Sequence, residues 1–138
     1  MITEDRLKHM LGVARKCYIL SKELRMPEKF CRKMFFLGYI HDIGYEFEDN
    51  EGHARISADI LHSLGCNSYD TLQAIKYHSE NDKTDNLEWK ILTEADMTID
   101  SKGNEVTIEE RLEDIKARHG ETSKQYKAAL GIVEVIKR

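Results

Sequence analysis

Residues 30–44, FCRKMFFLGYIHDIG, constrain this chain more than any other stretch: an apolar helix runs into an adjacent His41-Asp42 pair and stops at a glycine. Phe30, Met34, Leu37 and His41 recur at spacings of four and three, the period of a single helical face, so His41 points where the core points. Asp42 turns onto the neighbouring face, and Gly44 is expected to close the helix in the left-handed conformation that glycine adopts freely. An imidazole beside a carboxylate can hold a divalent cation, but two ligands rarely hold it tightly. The rest of the chain has to supply more.

It offers several. His9 precedes the pair, and His53, His78 and Asp96 follow it, each within a segment of helical pattern. Taken singly, a histidine on an apolar face is more often a hydrogen-bonded core group than a ligand. Asp96 weighs more, because it falls in line with Trp89 and Leu92. A carboxylate on an apolar stripe is costly unless paired or bound to metal.

The ordered set, a histidine (His9), a His-Asp doublet (His41-Asp42) and a distant aspartate (Asp96), resembles the signature of the HD-domain superfamily of metal-dependent phosphohydrolases. His53 in GHARISADIL and His78 in AIKYHSE look like the additional histidines of its binuclear branch. The resemblance covers roughly the first hundred residues. It implies an all-α HD-domain helical bundle of six or seven helices, and a metal set of His9, His41, Asp42, His53, His78 and Asp96. Asp42 would bridge two divalent cations, with His41 and Asp42 as the candidate catalytic pair. The implied reaction is hydrolysis of a nucleotide or other small phosphoester by metal-activated water. Imidazoles and carboxylates without thiolate favour iron, manganese or another first-row metal. Two alternatives share the resemblance: a diiron oxygenase of the HD type, and a non-catalytic nucleotide-binding module.

The sequence departs from a common family pattern at one point. Many members continue the doublet as HDxGK or HDxGR, whereas Tyr45 follows Gly44 here. Lys76 and Lys102 are the candidate replacements for the missing positive charge at the substrate. The acidic run containing Glu46, Glu48 and Asp49 reads most simply as a solvated turn, with a catalytic or supporting carboxylate as the sharper option.

Length and charge narrow the remaining classes. A chain of 138 residues is read as a single domain, 1–138, with room for one core. A formal charge of −4 argues against an extended nucleic-acid surface and leaves a small phosphorylated ligand compatible. No apolar run approaches the length of a bilayer crossing and no signal-peptide pattern opens the chain, so the expectation is no membrane partner and a cytoplasmic location. Oligomeric state is not readable. Cys17, Cys31 and Cys66 are odd in number and lack CxxC spacing, which points to thiols rather than disulfides.

Local signals place the elements. Thr3 is the expected cap of a first helix that buries Leu7, Met10, Leu11, Ala14, Cys17, Tyr18 and Leu24, with His9 at the edge of that face. Pro27 suits the first turn of the second helix. In the third, Ile56, Ile60 and Leu64 are expected to share a face with His53, and Gly65 to end it. His62 faces elsewhere. A capping box of Thr107 and Glu110 opens the sixth helix and Gly120 marks its end, while Leu130, Val133 and Ile136 line the last. The final third reads as support, and His119, near a helix C-terminus, is left out of the site.

Overall fold

The computed structural model describes residues 2–46 and 52–137. Among these residues seven α-helices follow one another: α1 (Glu4–Glu23), α2 (Glu28–Ile40), α3 (His53–Ser63), α4 (Tyr69–Lys76), α5 (Leu87–Asp96), α6 (Ile108–His119) and α7 (Lys124–Ile136), with a 3-10 turn at Ile43–Glu46. Among the described residues there is no β-strand, only an isolated bridge between Ile99 and Glu105. The architecture is therefore the expected all-α HD-type bundle. The helices start where polar side chains can satisfy their first amides. Thr3, Ser68, Asn86, Thr107 and Ser123 each accept a hydrogen bond from the amide three residues on, and the Thr107–Glu110 capping box is complete.

One core joins α1, α2 and α5, closed by the remaining helices. Val13, Cys17, Met34, Leu37, Ile75, Trp89 and Leu92 are sealed from solvent within it. Each such aliphatic or aromatic side chain contributes on the order of 1.5–3 kcal/mol of burial free energy. Close approach of α1 and α2 depends on Gly38, where an added Cβ would lie 2.9 Å from the Ala14 Cα and 3.0 Å from the Cys17 Sγ. That contact sets the rotation of α1. Its buried stripe is His9, Met10, Val13, Ala14, Cys17 and Ser21, whereas Leu7 and Leu24, expected inside, are exposed. Small residues face the partner helix because only they let it come near.

The same rule corrects α3. The buried residues are His53, Ala54, Ser57, Ala58 and Leu61, while Ile56 and Ile60 are only half-buried and Leu64 is 77% exposed. Fully buried Ser57 explains the rotation: its hydroxyl donates to the His53 carbonyl at 2.9 Å and accepts from the Gly44 amide at 2.7 Å. Gly44 is corrected as well, since it lies in the 3-10 turn and not in a left-handed cap. Its requirement is space: a Cβ there would stand 1.9 Å from the His53 carbonyl oxygen. Gly65 and Gly120 do take positive φ at the ends of α3 and α6.

Smaller points follow the sequence. Pro27 is the residue just before α2 rather than inside its first turn. Leu130 is exposed, and α7 buries Ala129, Ile132 and Val133. The three cysteines are free, and His62 is exposed. No helix among the described residues is long and apolar enough to cross a membrane. Glu48 and Asp49 of the acidic run lie outside the described residues.

Candidate metal centre

His41 follows the last residue of α2, continues its helical backbone, and is fully buried. Its Nδ1 is 2.6 Å from the Gly38 carbonyl oxygen. His9 on α1 places Nδ1 2.8 Å from the Asp100 carbonyl, and His78, in the turn after α4, places Nδ1 2.7 Å from the Ile75 carbonyl. A carbonyl can only accept, so each Nδ1 carries the proton. In the neutral ring Nε2 then bears the lone pair, the arrangement that a metal-ligating imidazole needs. The chain thus fixes the orientation of three rings, with Nε2 turned to the site, before any ion arrives. The turn bearing His78 is itself pinned to α5 by Trp89, whose indole N–H donates to the Tyr77 carbonyl at 2.8 Å.

The Nε2 atoms converge on Asp42. Oδ2 of Asp42 lies 3.1 Å from His41 Nε2 and 3.7 Å from His9 Nε2, while Oδ1 lies 3.3 Å from His53 Nε2 and 3.2 Å from His78 Nε2. Asp96, the last residue of α5, brings Oδ1 to 2.8 Å from His9 Nε2 and 3.4 Å from His41 Nε2. Two groups of three ligand atoms result, His9-His41-Asp42 and Asp42-His53-His78. Within each, the atoms all lie inside 4.8 Å of one another. The His rings also pack against one another, His41 and His78 with centroids 5.1 Å apart and His53 and His78 at 5.3 Å.

The donor set fits a divalent cation. His41 Nε2 is a buried polar atom with no hydrogen-bond partner, although it faces two carboxylates. A buried polar atom left without a partner costs free energy that coordination would recover. In the metal-free protein charge pairing takes that place. Burial alone would lower the His41 pKa, but Asp42 and Asp96 outweigh it and hold the imidazole protonated to about 10. Asp42 and Asp96 are in turn held well below the usual carboxylate range. Their burial acts against this and the neighbouring imidazoles, His41 foremost, overcome it.

A family model described as HD domain matches residues 6–112. The chain belongs to the HD domain family. The HD family is a superfamily of metal-dependent phosphohydrolases whose members bind divalent metals, and the clustered imidazoles and carboxylates here could hold one. Ribonuclease Y of Oleidesulfovibrio alaskensis is 38% identical over 81 residues. That alignment takes in 57% of this chain and 15% of the relative, so the chain spans only a small part of that protein's length. No solved structure gives a significant match.

All six ligand-type residues singled out in the HD sequence are brought together. The two lysines are placed differently from them. The Lys76 ammonium sits 5.3 Å over the ring of its neighbour Tyr77. Lys102 is exposed on the loop after Asp100, its amide donating to Asp100 Oδ1 at 2.9 Å, beside the carboxylates of Glu110 and Asp114. Two guanidinium groups border the HD cluster. Arg6 in the first turn of α1 puts Nη1 3.7 Å from Asp42 Oδ2, and Arg111 of α6 directs Nε to the Asp96 carbonyl at 3.4 Å. The sequence reading missed both, and it assigned α6 to support alone. Arg6 falls one helical turn before the interior-facing Met10 and three residues before His9. Helical spacing from the histidine was the signal available for it. Arg111 carries no local signal.

Proposed function

We propose that this HD-domain protein hydrolyses a small phosphoester, with a nucleotide as the leading substrate class, and that it works with two divalent cations. His9, His41, Asp96 and Oδ2 of Asp42 would hold one cation, and Oδ1 of Asp42 with His53 and His78 the other. The observation that carries this reading is the division of the Asp42 oxygens between two pairs of imidazoles, the disposition of a bridging carboxylate. A pair of cations held by these residues would supply water activation near neutral pH and positive charge to offset that developing at phosphorus. Imidazole and carboxylate donors without thiolate suit iron or manganese.

The remaining chemistry belongs to the chain's own residues. Carbonyl contacts at Nδ1 orient the rings of His9, His41 and His78 so that Nε2 already faces the carboxylates before loading. The Ser57 hydroxyl locks the start of α3 onto the turn that follows the doublet and thereby fixes His53. Arg6, beside Asp42, is placed to meet a phosphoryl oxygen with a fork of donors that a lysine lacks. The relative's name, a ribonuclease, supports phosphoester cleavage as the reaction class. The chain's charge of −4 favours a small ligand over an extended strand.

The direct test loads the protein with manganese or iron(II) under anaerobic conditions and assays phosphate release from a panel of nucleotides and generic phosphoesters. Release that disappears in Asp42→Ala supports hydrolysis. Intact substrates under saturating metal would overturn it. Oxygen consumption by the iron-loaded protein with the same panel would redirect the assignment to oxygenase chemistry.

A further inference from the structure

Helix α6 turns two of its residues inward, Ile115 and Arg111, and the second is a guanidinium that is 9% exposed. An arginine that merely decorates a helix surface keeps its charge in water. Burying that charge costs free energy unless anions and acceptors meet it. Arg111 meets three. Its Nη1 lies 3.4 Å from Asp114 Oδ2 one turn along the helix, its charge reaches the carboxylate of Asp100, and its Nε donates to the Asp96 carbonyl at 3.4 Å. The Asp114 contact joins neighbours on α6, whereas the other two cross to the end of α5 and the loop beyond it. Asp100 is itself fixed, with Oδ1 accepting from the amides of Lys102 and Asn104 at 2.9 Å. The guanidinium is therefore both compensated and held in place.

We infer that Arg111 is a positioning residue of the metal centre: by gripping the carbonyl of Asp96 it sets where that residue's carboxylate stands against His9 and His41. The inference rests on the two-cation reading of the cluster. Asp96 is the last residue of α5, and the final carbonyls of a helix lack amide partners within it. The chain just past the helix end closes three of them. The Thr93 carbonyl accepts from the Met97 amide, that of Glu94 from the Thr98 hydroxyl and that of Ala95 from the Thr98 amide. The Asp96 carbonyl takes Arg111, from a different helix. A cation at this end offsets the negative pole of the helix dipole, which otherwise disfavours a carboxylate there. Backbone and side chain of one residue thus have separate tasks: α6 anchors the carbonyl, and Oδ1 stands 2.8 Å from His9 Nε2 and 3.4 Å from His41 Nε2. A ligand group displaced by about 0.5 Å already leaves productive geometry, so an anchor on its own backbone bears directly on affinity.

The test is a double-mutant cycle on the full chain, read by calorimetric titration with manganese. Circular dichroism and the melting temperature of each metal-free variant monitor the fold. Arg111→Met should weaken binding at the site of His9, His41 and Asp96 by at least about tenfold, about 1.4 kcal/mol, and leave the site of His53 and His78 within about threefold. In an Asp96→Asn background the same substitution should cost the first site less than about threefold, because the ligand through which it acts is already altered. Arg111→Lys keeps the charge but lacks the planar fork, so it should lose affinity at the first site as the methionine variant does. It carries the comparison if Arg111→Met fails to fold. Asp114→Asn, which removes the contact within α6, should leave both sites within about threefold. A purely structural arginine would instead weaken both sites alike, and by the same factor with or without Asp96. That additive result, or unchanged affinity at the first site in a folded Arg111→Lys protein, would overturn the inference and leave the metal centre standing. No saturable manganese uptake by the unmodified protein would remove the centre, and the inference with it.

Discussion

The two sides of the Asp42 carboxylate are built differently. On the Oδ2 side, His9 and His41 belong to α1 and the end of α2, helices locked together at Gly38, and both imidazoles are oriented by backbone carbonyls. A second carboxylate, Asp96, faces both of them. On the Oδ1 side the ligand group among the described residues is Asp42 with His53 and His78, drawn from the start of α3 and the turn after α4. Among the described residues, one side thus offers two carboxylates and two imidazoles, and the other shares a single carboxylate. Coulomb attraction favours the first side for a divalent ion, and the tighter scaffold means less ordering is needed on binding. The first side should fill at lower metal concentration and empty last.

The largest expected effect removes the element common to both sides. Asp42→Ala should abolish turnover, to the background of the metal-free protein, while circular dichroism reports helix content close to the original. Turnover within about tenfold of the original, a loss of only about 1.4 kcal/mol in the barrier, would show that the carboxylate is not central. Next comes the contrast itself. Asp96→Asn should weaken the first metal-binding event, whereas His53→Ala should leave that event near its original affinity and eliminate the second. Equal effects of the two substitutions on the first event would erase the distinction drawn here.

Gly44→Ala probes how the weaker side is held. A methyl group 1.9 Å from the His53 carbonyl must push α3 away from the turn and break the Ser57 clamp. The expected loss is roughly 1–3 kcal/mol of stability, read as a lower melting temperature, with the second metal event lost before the first. An unaltered melting temperature would mean that the close approach carries no energetic weight.

The effect of pH is smaller and has a definite sign. In the metal-free protein His41 is raised from 6.5 to about 10, so its pairing stabilises fully below pH 6.5 and fades as pH rises toward 10. Asp42 and Asp96 are lowered from 3.8, so their contribution is complete above that value and fades as pH falls through their lowered pKa values. Metal-free stability should therefore peak between about pH 4 and 6.5. Metal affinity should instead climb with pH and level off only near pH 10, because the ion must displace the His41 proton. Calorimetry in buffers of different ionisation enthalpy counts that proton. The smallest effect is expected far from both sides: Leu64→Ser, on a side chain that already faces water, should change stability by about 0.5 kcal/mol or less.

The full ligand set was legible through the resemblance to the HD family, and helical period, which carries direction, added support at particular residues. Met34, Leu37 and His41 do share an inward line, Asp96 does extend the Trp89–Leu92 stripe, and Gly65 and Gly120 do close their helices. Period failed where size, not hydropathy, decides which face turns in. Ala14 and Cys17 oppose Gly38, and Ser57 faces Gly44, so leucines and isoleucines expected inside were displaced outward. Gly44 itself was read as a conformational device when it is a spatial one. The two arginines that border the cluster were missed for another reason: Arg6 was marked only by its helical spacing from His9, and Arg111, more than a hundred positions away, carries no local signal.

Metal counting on three proteins tests the central claim most directly. After saturation with manganese and removal of free ion, elemental analysis should find about two ions per chain in the unmodified protein, about one in His53→Ala and essentially none in Asp42→Ala. A His53→Ala protein with the full complement, or an Asp42→Ala protein that still holds metal, would contradict a carboxylate bridging two unequal sites.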